Sequence, residues 1–340
     1  MLATTEQYAA MLDAAAAGDY ALAAVNVTSS QTLNGTMRGL AEAGADGIIQ
    51  VTTGAAEYLS GAASDMALGA RALAEYAHVL ADRYPVLIAL HTDHAPPEKF
   101  DGFVRPLIEE SRRRRGRGEQ PLFNSHMFDG STLPLSENLK FSARLLDELA
   151  PLDIVLEVES GVVGGEEDGV AGPEAGRSEL YTTTEDLMHV VDALGSGERG
   201  RYLLAATFGN VHGVYAPGNV QLRPEVLRAG QLALAEQRPG ARFKYVFHGS
   251  SGSEPEQVRE AISNGVVKIN LDTDAQYAFT RAIADHVFSN YDGVLRVDGD
   301  VGRKSAYDPR AWGRKGEAAL AQRVAEASEL FGAAGKSILG

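Results

Sequence analysis

Eight short runs rich in Val, Ile and Leu recur along this chain with helix-like amphipathic stretches between them, and that alternation limits the possible folds more than any other feature. Strands separated by whole helices pair in parallel, because the helix carries the chain back to the starting edge. The runs are ALAAVN (21 to 26), GIIQVT (47 to 52), VLIALHTDH (86 to 94), PLFNSHMFD (121 to 129), DIVLEVES (153 to 160), YLLAATFGN (202 to 210), KYVFHG (244 to 249) and VVKINLD (266 to 272). Between the first two, Leu33, Met37 and Leu40 fall at helical spacing and Gly44 offers a C-cap. Similar helices are expected after the other strands. Eight such units with no break in composition predict one (β/α)8 TIM barrel domain over residues 1–340, a fold of roughly 250 residues plus insertions. A doubly wound open sheet is the alternative. Thr4 and Gln7 stand at capping-box spacing and predict an extra N-terminal helix closing the bottom of the barrel. Residues 309 to 334 predict a C-terminal helical extension.

Composition narrows the chemistry. The net charge of −15 disfavours nucleic acid and anionic membrane as partners, while a local pocket can still hold a phosphate. With no cysteine, thiol nucleophiles and thiolate metal sites are excluded, so any metal must be held by His, Asp or Glu. The N-terminus carries no basic-then-apolar leader and no long apolar run occurs, which predicts a cytoplasmic protein. Arg112 to Arg115 and Arg117 are expected to be a solvated helix end and turn.

On a barrel of this kind, function gathers at the carboxyl ends of the strands. The polar residues there are Asn26, Thr52, Asp93, His94, Asp129, Glu157, Glu159, Asn210, His212, His248, Asn270 and Asp272. His94, His212 and His248 could supply three imidazoles to a catalytic zinc with one position open. The spacing does not by itself separate ligands from ordinary histidines. His78, His189 and His286 are expected inside helices, and His91 and His126 inside strands, as core groups or as groups supporting the metal ligands rather than as ligands. The turn HGSSGS (248 to 253) precedes a helix starting near Glu254, so its N–H groups and the hydroxyls of Ser251 and Ser253 could cradle an anion. The stretch 161 to 176, with six glycines and the pair Glu166 and Glu167, is expected to be a lid loop over the mouth.

Six motifs in this order, HTDH (91 to 94), GGEEDGV (164 to 170), FGNVHGVYAPGNV (208 to 220), FHGSSGS (247 to 253), GVVKINLDTD (265 to 274) and YDPR (307 to 310), resemble the signatures of the class II fructose-1,6-bisphosphate aldolases in their longer bacterial form. The resemblance implies a catalytic zinc on His94, His212 and His248, with Asp93 and Glu167 as acid and base. It implies that Glu159 and Asp129 mark an alternative metal position. It also implies that Gly213, Gly249, Ser251, Asn270, Asp272 and Thr273 line the ketone-phosphate end beside a monovalent cation, sodium or potassium. Asn26 and Thr52 complete that pocket, and Arg310 takes the second phosphate from a neighbouring subunit of a homodimer or homotetramer.

The implied reaction is reversible cleavage of fructose 1,6-bisphosphate to dihydroxyacetone phosphate and glyceraldehyde 3-phosphate. A divalent ion would stabilise the oxygen charge that develops next to the attacked carbon, without a lysine imine. Four positions depart from the family pattern: Ser250 and Ala55 replace glycines, Ser160 replaces an aliphatic residue, and Ala95 stands where cysteine is common. If residue 250 needs a positive φ, serine there strains the phosphate turn. Two alternatives follow, a related aldolase acting on another ketose phosphate or aldehyde, and a non-catalytic sugar-phosphate sensor.

Overall fold

The computed structural model describes residues 1–161, 164–167, 170–171, 181–212, 222–295 and 302–340, with 164–167, 170–171 and 211–212 as backbone. The strands are β1 (Leu22–Asn26), β2 (Gly47–Val51), β3 (Ile88–Thr92), β4 (Ser125–Phe128), β5 (Val155–Glu159), β6 (Gly164–Glu167), β7 (Val170–Ala171), β8 (Tyr202–Ala205), β9 (Val211–His212), β10 (Tyr245–Phe247) and β11 (Val266–Leu271). Eight of them close into a barrel in the order β1, β11, β10, β8, β5, β4, β3, β2, and all eight expected apolar runs supply its staves. Every pairing between staves is parallel, so the closed barrel replaces the open-sheet alternative. The staves are shorter than the runs, because their polar ends leave the ladder at the mouth.

The barrel floor is apolar. Leu22, Ala24, Ile48, Ala89, Val155, Leu203, Val246 and Val267 form one buried cluster with Tyr8, Met11, Leu12 and Ala15 of the N-terminal helix Thr5–Ala17. That helix closes the barrel end opposite the site, and it starts as its sequence predicts: Thr4 accepts from the Gln7 N–H while the Gln7 side chain accepts from the Thr4 N–H. A second cluster packs the outer faces of the staves against the surrounding helices. The C-terminal helix Pro309–Leu330 lies against the helix Ser30–Ala43, which ends on Gly44 at φ +59°.

Two expectations need correction. The arginine-rich stretch is not simply solvated: it ends the helix Pro97–Gly116, and its charges bind neighbouring elements. Arg112 joins Arg105 on Glu148, Arg114 pairs with Glu75, and Arg115 reaches both Asp153 and the Thr5 hydroxyl. Arg114 and its partner Glu110 are buried because this helix end is covered by its neighbours. The lid stretch also contains regular structure. β6 pairs antiparallel with β7 and parallel with β9, so the segment carrying Glu167 is a strand tied to the one carrying His212. Glycine-rich composition hid that short pairing.

Candidate metal centre and active site

Parallel staves deliver their carboxyl ends to one mouth, and the polar side chains that end them meet there. His94, one residue beyond Asp93 at the end of β3, has φ +42°, a conformation that a side chain with a Cβ rarely adopts. His94 Nδ1 lies 2.9 Å from Asp129 Oδ2 and 3.7 Å from Glu159 Oε2. His248 follows β10 and directs Nε2 at Glu157 Oε1, 2.8 Å away. The remaining nitrogens, His94 Nε2 and His248 Nδ1, meet at 2.9 Å with the rings edge to face.

Burial holds the His248 imidazole well below its ordinary pKa and therefore neutral. With protons on the two carboxylate-facing nitrogens, the nitrogens that meet are both electron-pair donors. A divalent cation satisfies that arrangement, so these residues fit a metal. Asp93, His94 and His248 bring ligand atoms within 4.8 Å of one another, and so do His94, Asp129 and Glu159. The two groups share His94 and so describe adjacent positions for one ion.

Three amide side chains hold the Asp93 carboxylate. Its Oδ2 accepts from Asn26 Nδ2 at 3.0 Å and Gln50 Nε2 at 2.9 Å, and Asn270 Nδ2 stands 3.3 Å from Oδ1. Burial pushes the Asp93 carboxyl upward in pKa, but the positive charge around it, the buried Lys268 ammonium included, outweighs burial and holds it below the usual carboxylate range. For Asp129, burial is likewise outweighed, here by the hydrogen bond from His94 and by the Ser131 N–H. Both are ionised at neutral pH.

The turn 248 to 253 is unstrained at its unusual serine. Gly249 and Gly252 take the positive φ values, +64° and +82°, while Ser250 lies outside that region. The Ser250 hydroxyl donates to the Asn270 carbonyl at 2.8 Å, tying the turn to β11. Ala55 is equally at ease in the first turn of the helix Thr53–Leu59, where its N–H is capped by the Thr52 hydroxyl. Ala95 is buried and accepts from the Asp129 N–H. Ser160 is buried, with no hydrogen-bond partner for its hydroxyl among the described residues.

The structure thus gathers Asn26, Asp93, His94, Asp129, Glu159, His248 and Asn270 into one cluster. Thr52, Gly249, Ser251, Asp272 and Thr273 occupy neighbouring strand ends at the same mouth. Asp272 and Thr273 open the helix Thr273–Ser289, and Asp272 accepts from Gln276. Asn210 donates to the His248 carbonyl at 2.9 Å, which fastens the segment leading to His212 onto the cluster. The side chains of Glu167 and His212, and all of Gly213, lie outside the described residues. Arg310 is not in the cluster: it is exposed, opens the C-terminal helix and pairs with Asp308 at 2.6 Å. The expected roles of His78, His286, His91 and His126 as helix or core groups fit their positions, although His91 lies 3.4 Å from Glu157.

Sequence reasoning singled out neither Gln50 nor Lys268. Both point into the barrel and touch the cluster. Gln50 is visible in principle as the one polar residue interrupting GIIQVT.

A parallel barrel whose mouth gathers imidazoles and carboxylates around a single ion position is the arrangement of a metal-dependent barrel enzyme. Residues 6–336 match the family model described as fructose-bisphosphate aldolase class II, and the chain belongs to that metal-dependent family of lyases. It is 56% identical over 339 residues to the fructose-bisphosphate aldolase of Streptomyces galbus, with 99% of each chain covered. It is 54% identical over 342 residues to that of Mycobacterium tuberculosis, again with 99% of each covered. Among solved structures, a fructose-bisphosphate aldolase from Campylobacter jejuni superposes with a TM-score of 0.86 at 33% identity, covering 98% of this chain and 97% of that one.

Proposed function

We propose that this chain cleaves fructose 1,6-bisphosphate reversibly to dihydroxyacetone phosphate and glyceraldehyde 3-phosphate, working as a single barrel domain with zinc held by His94, His248 and His212. The observation that carries the reading is the meeting of His94 Nε2 and His248 Nδ1 at 2.9 Å, each ring backed by its own carboxylate, next to Asp93. His, Asp and Glu donors in a chain without cysteine suit zinc. A divalent ion bound here supplies Lewis-acid polarisation of the substrate ketone.

The protein groups supply positioning and proton transfer. In the cleavage direction the Asp93 carboxylate takes the proton from the C4 hydroxyl as the C3–C4 bond breaks, and its ionised state suits that role. The electron pair of the broken bond passes to the ketone fragment, whose carbon then receives a proton from Glu167. Condensation runs through the same steps in reverse, with Glu167 as base and Asp93 as proton donor. Asn26, Gln50 and Asn270 hold the Asp93 oxygens in place throughout. The backbone of the turn at Gly249 and Ser251, with Gly213, Asn270, Asp272, Thr273 and Thr52, binds the ketone-phosphate end. The reading includes a sodium or potassium ion near that phosphate, and Arg310 for the second phosphate across a homodimer or homotetramer interface. The exposure of Arg310, away from the cluster of its own chain, suits such a part. The setting is glycolysis or gluconeogenesis in the cytoplasm; no described helix is long and apolar enough to cross a membrane.

A panel of phosphorylated ketoses assayed with the zinc-loaded protein tests this. Cleavage of fructose 1,6-bisphosphate in preference to monophosphates is expected. Preference for another ketose phosphate supports the related-aldolase alternative, and binding without turnover of any supports the sensor.

A further inference from the structure

Beneath the metal centre the barrel buries an ion-pair network. Lys268, Glu157, His91 and His248 are each fully buried. Lys268 Nζ donates to Glu157 Oε2 at 2.8 Å and to Asn270 Oδ1 at 2.9 Å. Glu157 spends its other oxygen on His248 Nε2, at 2.8 Å. Because Lys268 occupies Asn270 Oδ1, the Asn270 amide nitrogen faces Asp93.

We propose that Lys268 is a positioning residue for both halves of the active site, fixing the His248 ring through Glu157 and the Asp93 carboxylate through Asn270. The inference rests on the metal-dependent reading of the site and adds to it a residue that touches neither ion nor substrate.

The geometry explains why a lysine is placed there. A lone ammonium or carboxylate is expensive to bury, and a matched pair with its remaining valences satisfied is tolerated. The ammonium reaches two acceptors on two different strands, so one charge sets two orientations. Glu157 turned toward His248 Nε2 presents Nδ1 to the cluster, and a ligand ring held by a carboxylate in this way binds metal more tightly. Asn270 could be flipped without Lys268, since its amide oxygen and nitrogen differ little in shape. A flipped amide would turn an acceptor on the Asp93 carboxylate. His91, Asp93 and Glu157 together could also hold a divalent ion. The Lys268 ammonium on Glu157 already supplies the positive charge at that depth and would repel a second cation.

The backbone turns both Val267 and Lys268 inward. Tyr245 pairs with Val266 while Val246 pairs with Lys268, so one extra residue is inserted into β11. The bulge lets Val267 pack into the barrel floor and Lys268 still face the interior, breaking the alternation that would send neighbours to opposite faces.

The test uses the full chain as Lys268→Met, Glu157→Gln and the double variant, with zinc affinity measured by competition against a chromophoric chelator. The d–d spectrum of the cobalt-loaded protein and separate kcat and KM values are recorded alongside. Lys268→Met should weaken zinc binding about 10- to 100-fold, alter the cobalt spectrum and lower kcat with KM little changed. The double variant pairs two neutral groups, so it recovers folding if the single variant is unstable. It should lose no more zinc affinity than either single change, because the two residues act as one unit. Wild-type zinc affinity and an unchanged cobalt spectrum in the folded double variant would overturn the proposal and leave Lys268 as a core ion pair only. A wild-type protein that takes up no zinc at all would instead overturn the functional reading underneath it.

Discussion

In the proposed mechanism Asp93, buried at the end of β3, and Glu167, at the end of β6, divide the proton transfers. Asp93 is fixed by three amide side chains, so Asp93→Ala removes a proton acceptor whose position no neighbour can replace. Cleavage should slow by about 10²- to 10⁴-fold with zinc content kept, as measured by a coupled assay and metal analysis of the same sample. Glu167→Ala should also leave zinc intact while slowing cleavage sharply, and unchanged turnover there would refute its role. At this scale the sequence is informative wherever chemistry sits at a strand end. Asp93, His94, Asp129, Glu159 and His248 are each visible as the polar stop of an apolar run. Lys268 is not: it shares a face with Asn270 two residues on, but the carboxylate that lets a lysine be buried there, Glu157, comes from a strand far away in sequence. The bulge in β11 that lets Val267 also face the floor leaves no mark in composition.

Elements are legible where local rules dominate. The helix Thr5–Ala17 begins at the capping box that Thr4 and Gln7 predict, and the eight staves follow the eight apolar runs. The β6, β7 and β9 pairing is not legible: its strands are only two to four residues long and β6 is two glycines and two glutamates, so what aligns them is proximity imposed by the barrel. Close helix packing makes a sharper prediction. A Cβ built on Gly39 would lie 2.7 Å from Val324 Cβ and also crowd the Ala321 carbonyl, and one on Gly35 would lie 3.0 Å from the Glu317 carbonyl. Gly39→Ala should therefore push the helix Ser30–Ala43 off the C-terminal helix and cost about 1–3 kcal/mol, read as a lower urea midpoint. An unshifted midpoint would show that the two helices separate freely.

For the whole molecule, the buried histidines couple stability to pH. Burial lowers the His126 pKa to about 3, against about 6.5 in an unfolded chain. As pH falls below about 6.5 the unfolded chain takes up a proton that the folded protein refuses, so stability present above that pH is lost on the way down toward 3. Between about pH 6.5 and 4.5 this one residue should account for about 2 kcal/mol of lost stability. Denaturation of the wild type and His126→Gln at both pH values checks it: the variant should show the smaller decline, and equal declines would contradict it.

The central claim is that catalysis at the barrel mouth depends on an ion gripped by His94 and His248. Its most direct test is the rate of fructose 1,6-bisphosphate cleavage by the purified chain before chelation, after chelation and after zinc is returned. The account predicts loss of cleavage on chelation and recovery at one zinc per chain, with no recovery in His248→Ala. A chelated protein that cleaves at the original rate would contradict it.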